Sequence, residues 1–173
     1  MQRPLLLCLF VALALPWACQ NDIEGSSNDG PAFDVPKNQV ELLPFRVRLA
    51  RVAQVAGVAT DDPMLEEMRA RAAELGDHDF STGVRPNLAW TAARMSTWIK
   101  ALKPVCTAEA FRARYPDLGA DPSALIAAAY GRPAAAADLA DIESALEGVA
   151  IDGEERTQAV CFAVLSSVEF VAK

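Results

Sequence analysis

The chain has 173 residues, a formal net charge of −7, 52% hydrophobic residues and only 7% aromatics. That length suffices for one ordinary domain after a leader is removed, with a core built mainly of Leu, Val, Ala and Met. The acidic balance argues against nucleic acid as a partner, whose phosphates would be repelled, and against adhesion to anionic lipid headgroups through basic residues.

Residues 1–18 have the layout of a signal peptide. Arg3 supplies a basic start, and from Pro4 to Cys19 there is no charged or strongly polar side chain. That run falls short of the roughly 20 apolar residues that a transmembrane helix needs, and fits the apolar and cleavage regions of an exported protein. It ends in Leu15-Pro16-Trp17-Ala18-Cys19, which resembles a bacterial lipobox. The resemblance implies that Cys19 becomes the lipidated N-terminus. Pro16 stands where leucine is usual and Trp17 is bulky for its place, so ordinary cleavage after Ala14 or Ala18 is the alternative. An Asp directly after the Cys favours inner-membrane retention in some bacteria; Gln20 stands there, which favours the outer membrane. Cys8 lies in the discarded leader.

Residues 19–36 read as a tether. The stretch Gln20 to Pro36 is rich in Gly, Ser, Asn, Asp and Pro and shows no hydrophobic period. Such a segment has too little apolar surface to offset its ordering entropy.

Residues 37–173 read as an all-α domain, a compact bundle of about six or seven helices. Apolar residues recur at steps of three and four: Leu42 to Ala56, Leu65 to Leu75, Leu88 to Leu102 by way of Ala92, Met95 and Ile99 with Trp98 beside them, Leu125 to Tyr130, Leu139 to Leu146, and Cys161 to Val171. That spacing puts each set on one helical face. Asp62-Pro63 and Asp121-Pro122 place a capping acid before a proline at the first helical position. Asp152 with Glu155 has capping-box spacing. Gly57, Gly76, Gly131 and Gly148 fall where left-handed C-caps belong. Thr107 is expected to start a small helix from Ala108 to Arg114. No period of 20 to 50 residues repeats, which excludes a solenoid.

Chemistry is sparse. Gly76-Asp77-His78-Asp79 holds the only histidine. Asp77, His78 and Asp79 are candidate metal ligands, but adjacent residues rarely converge on one ion. The calcium-loop pattern that Asp77 and Asp79 begin fails at Thr82 and Leu88. The simpler reading is a polar helix connection, and no metal is expected. Ser166 and Ser167 lie in a predicted helix without a nucleophile elbow. There is no C-x-x-C-H, phosphate loop or dinucleotide fingerprint, so no cofactor is implied. Arg46, Arg48 and Arg51 could recognise an anion, although such a pattern is more often the wet side of an amphipathic helix. The half from Pro104 to Lys173 carries 11 acids against 5 basic residues. It reads as a solvated surface or, more sharply, as a face for a basic partner.

With Cys8 removed and Cys19 lipidated, Cys106 and Cys161 remain. An even pair in an exported domain favours a disulfide. Cys161 lies on an apolar stripe and Cys106 is expected just beyond the third helix, after Pro104. Two separately buried thiols are the alternative.

The C-terminal 45 or so residues carry Tyr130-Gly131-Arg132-Pro133, then Leu139, then Leu165, Ser166, Glu169 and Phe170. This pattern resembles the helical tail of planctomycete-type secreted proteins and the surface-layer-associated helical repeats that end in Ser-x-Glu-Phe. The resemblance implies an extracytoplasmic helical module in which Gly131, Arg132, Pro133, Leu139, Leu165, Ser166, Glu169 and Phe170 pack and cap. The haem motif found elsewhere in the planctomycete-type proteins is absent, so no redox role follows. The expected function is a noncatalytic envelope lipoprotein, held to the membrane by its lipid, that binds another envelope protein or a surface polymer. The alternative is an extracytoplasmic enzyme or accessory subunit using the Asp77–His78–Asp79 loop.

Overall fold

The computed structural model describes residues 41–78, 81, 83, 88–149 and 151–172. Within them the domain is all-helical, with eight α-helices: α1 Phe45–Ala56, α2 Glu66–Ala70, α3 Ala92–Thr107, α4 Glu109–Arg114, α5 Ser123–Tyr130, α6 Ala136–Leu146, α7 Gly153–Ser166 and α8 Val168–Val171. A 3-10 turn, Pro63–Leu65, leads into α2. None of the described helices is long and apolar enough to cross a membrane.

The centre of the core is the seam between α3 and α7; α2 and α4 pack on α3, α5, α6 and α8 pack on α7, and α1 packs on α5. Trp98, Ala101, Leu102, Val105 and Cys106 of α3 face Val160, Cys161, Val164 and Leu165 of α7, and all are buried. Leu49, Val52 and Ala53 of α1 join the same core, as do Phe111, Leu125, Ile126 and Phe170. Burial of such apolar surface is the dominant favourable term in folding.

Several caps form as the residues suggest. Asp62 Oδ1 accepts from the Met64 amide at 2.8 Å, and Asp121 Oδ1 from the Ser123 amide at 3.0 Å. Gly57 ends α1 at φ 73°, and the next amide, of Val58, reaches back to Ala53 O at 3.0 Å. This closes the left-handed C-terminal motif that glycine favours. Asp152 departs from expectation: it precedes α7, but its side chain makes no cap hydrogen bond, so the box with Glu155 does not form. The reciprocal half of such a box occurs at α6, where Asp138 Oδ2 accepts from the Ala135 amide at 2.7 Å.

Three helix boundaries differ from the apolar pattern. Leu42 and Leu88 lie before their helices, in short extended segments. Glu41 bridges Ala89 and Leu42 bridges Ala172, both antiparallel. The Leu42 amide donates to Leu88 O and the Leu43 amide to Val171 O, each at 2.9 Å. Residues 41–43 are therefore bonded on both sides. The buried stripe of α3 keeps Leu102 but otherwise runs through Trp98, Ala101 and Val105 and not through Met95, which is 40% exposed. Finally, α3 continues through Pro104 to Thr107, so Cys106 sits in its last turn and Thr107 does not start α4. Pro104 removes one amide donor, and the Thr107 hydroxyl bonds Lys103 O at 2.9 Å in that same turn.

The arginines of α1 also differ from a simple wet face. Arg46 is exposed, with its Nε 3.5 Å from Asp77 Oδ1. Arg48 is fully buried. Arg51 is half-buried and donates to Phe170 O at 2.6 Å and Ala129 O at 2.8 Å, its guanidinium 4.7 Å from the Phe170 ring centre. Arg51 thus satisfies carbonyls at or near two helix ends, which have no partner within their own helices.

Candidate functional site

The sequence-derived candidates separate into three groups. Cys106 and Cys161 meet. They form a disulfide with sulfurs 2.04 Å and α-carbons 5.8 Å apart, both residues fully buried in the α3–α7 seam. Cys19 and Asp79 lie outside the described residues. Asp77 and His78 follow the turn that ends at Gly76, and Asp77 faces Arg46. Among the described residues, no three His, Cys, Asp or Glu side chains converge as metal ligands.

The two serines are both held in hydrogen bonds. Ser166 Oγ donates to Phe162 O at 2.6 Å, one turn back. Ser167 ends α7 and caps α8, accepting from the Phe170 amide at 3.2 Å. Its Oγ also accepts from the Tyr130 hydroxyl at 2.9 Å. Burial raises the Tyr130 pKa, so the phenol is poised as a hydrogen-bond donor and is a poor base at neutral pH.

Around Tyr130 the structure builds a clasp that the sequence order conceals. Gly131 leaves α5 in the left-handed conformation, φ 69°, and the chain turns toward α6. Arg132 then donates to both Asp138 oxygens, at 2.7 and 2.9 Å, and to both Glu169 oxygens at 2.9 Å. Its guanidinium carbon lies 5.3 Å from the Tyr130 ring centre. The Arg132 hydrogen bonds hold the Asp138 carboxyl down at about 2, helped by the Ala135 amide, and the two carboxylates raise the Arg132 pKa in turn. One cation thus joins the α5–α6 turn, α6 and α8.

Beside this clasp lies a cavity of about 250 Å³. It is lined by Ile142, Ala145 and Ala163, by Tyr130 and Ser167, and by three carboxylates, those of Asp138, Asp141 and Glu169. Two of these are committed to Arg132. Asp141 is exposed and has no ion-pair partner among the described residues. Apolar side chains beside a free carboxylate suit a long cationic side chain, whose alkyl stem and charged head want different surroundings.

A second, shallower cleft of about 530 Å³ lies between the Pro116–Ala120 turn and the start of α7. Its Arg156 is already engaged, donating to Gly119 O at 2.7 Å and Glu143 Oε1 at 2.5 Å.

The sequence pattern singled out Gly131, Arg132, Leu139, Glu169 and Phe170 as packing and capping positions, but not Tyr130, Asp138, Asp141 and Ile142 as neighbours in one cavity. No family model, curated protein or solved structure matches the chain.

Proposed function

We propose that this chain is an exported envelope lipoprotein whose helical domain is a noncatalytic binding module. In this reading Cys19 carries the lipid, residues 20–36 are the tether, and the outer membrane is the site of anchoring. The domain captures an envelope protein, or an amine-bearing surface polymer, through a basic group seated beside Tyr130 and Asp141. The observation that carries the binding role is the cavity itself, lined by the apolar side chains of Ile142, Ala145 and Ala163 and by the uncommitted carboxylate of Asp141. The buried Cys106–Cys161 bridge supports export, because disulfides persist in oxidising compartments.

The test is capture from crosslinked envelopes. Wild-type protein should recover a partner, and Asp141→Lys, which reverses the free charge without touching the core, should lose it. Recovery of the monomer alone together with a measurable hydrolase activity would sink the binding role. The anchor is tested separately with Cys19→Ser, which should no longer partition into detergent.

A further inference from the structure

Helix α6 is attached to the domain more lightly than the helices of the core. It packs on α7. Its one buried residue is Ile142, with Leu139 and Leu146 partly covered, whereas α3 buries five residues and α7 four. Gly131 precedes this segment and Gly148 follows it, at φ 69° and φ 76°, with open space at both where a β-carbon would sit. Glycine moves freely among backbone conformations, so each can turn as a hinge.

Among the described residues, two ion pairs tie the segment between these glycines to the rest of the domain. Arg132 is joined to α6 through Asp138 and to α8 through Glu169, the latter at 2.9 Å. Glu143 of α6 meets Arg156 of α7 at 2.5 Å. Arg132 lies beyond the Gly131 hinge and stays with Asp138 when that hinge turns. The bonds that must break are therefore Arg132–Glu169 and Glu143–Arg156. Both pairs are partly exposed, and such pairs are weak and screened by salt.

The cavity beside Tyr130 is the seam of this segment. Asp138, Asp141, Ile142 and Ala145 line it from α6, and the other half of the lining comes from α5, α7 and α8. A shift of α6 changes the width of the cavity and leaves the α3–α7 core intact.

We infer that residues 132–147 form a jaw, hinged at Gly131 and Gly148 and latched by Arg132–Glu169 and Glu143–Arg156, whose opening widens the cavity. The opening stands on the packing alone; that it admits a basic group rests on the binding role proposed above.

The experiment is native-state hydrogen exchange of the full chain, read by mass spectrometry. A detached helix of 11 residues is marginal in water, so opening lays its amides bare. In the wild type, amides of residues 140–146 should exchange more than about tenfold faster than those of residues 98–103 in α3. Low urea should speed α3 and leave α6 unchanged, because a local opening exposes little new surface. Glu143→Gln, a change at an exposed side chain, should raise the α6 rates about threefold. An α6 as slow as α3, rates that climb with urea in step, or an α6 indifferent to Glu143→Gln overturns the jaw. Local exchange in α6 with no partner captured by the wild type would defeat the binding role and leave the jaw. Capture that is lost in Asp141→Lys, without local exchange in α6, would do the reverse.

Discussion

The indole Nε1 of Trp98 donates to the carbonyl oxygen of Leu165 at 2.9 Å, across the seam that also holds the disulfide. Leu165 is in the last turn of α7, where carbonyls lack partners within the helix. Trp98 therefore fills the core and completes the end of a helix 67 residues away. Replacing it by Phe keeps an apolar ring and removes the donor. We expect Trp98→Phe to cost about 1–3 kcal/mol, the penalty for a buried carbonyl left unsatisfied plus imperfect packing, with helicity retained. Urea unfolding followed by circular dichroism measures it.

The Cys106–Cys161 bridge closes a loop with a sequence separation of 55. In the chain-entropy model such a loop stabilises by about 4 kcal/mol. The Cys106→Ser, Cys161→Ser double variant should unfold at correspondingly lower urea. In the native wild type the bridge should resist reductant, since both residues are fully buried. Intact mass after alkylation, with and without reductant and denaturant, follows this directly: label should enter only when both are present.

The Arg132 clasp gives a pH dependence of known sign. Asp138 is held at about 2 in the folded protein, against about 3.9 for an unfolded aspartate. A depressed carboxyl pKa contributes stability that is present above the unfolded value and is lost as pH falls through the folded one. The contribution of Asp138 should thus be intact above about pH 4 and fade between about 4 and 2. Asp138→Asn should be less stable than wild type at neutral pH, and the difference should shrink across that window. Thermal melts at several pH values test it; a difference constant from pH 6 to pH 2 would refute the assignment.

Gly57 combines two constraints. Its φ is 73°, and a β-carbon built there would lie 2.6 Å from Arg114 Nη1. Gly57→Ala should destabilise by about 1–2 kcal/mol through the left-handed backbone. Because the contact is with the far end of a flexible side chain, Arg114→Ala should not rescue most of the loss. A double-mutant cycle separates the two terms.

What could be read from the residues was set by local rules. Asp62 and Asp121 cap because an acid before a proline has few other uses, and Gly57 and Gly131 end helices because few other residues adopt that backbone freely. The disulfide was legible by elimination among four cysteines. The path of α3 was not. Pro104 suggested a terminus, and only packing shows that the helix runs on to Thr107 with Trp98 at the centre of its inner face. Nor was the fate of Arg48 and Arg51 legible. Basic residues in an amphipathic helix belong in water by periodicity alone, and the carbonyls that draw these two inward come from Leu43, Leu75, Ala129 and Phe170. The cavity was hidden for the same reason: Tyr130, Asp141 and Glu169 become neighbours only when α5, α6 and α8 meet around α7.

The double-sided bonding of residues 41–43 has a mechanical consequence. Tension applied to the chain at Glu41 first meets two neighbours at once, Leu88–Ala89 on one side and Val171–Ala172 on the other. One flank can fail while the other still carries load. Deeper in the domain the route from Glu41 to Asp141 enters a covalent ring at Cys106 and divides. One arm runs through α4 and α5, the other crosses the disulfide and returns through α7. Force between the chain's entry point and a group gripped beside Asp141 would be borne by both arms in parallel. Unravelling one arm could extend the molecule only until the other drew taut, so the grip would weaken in steps instead of being released at once.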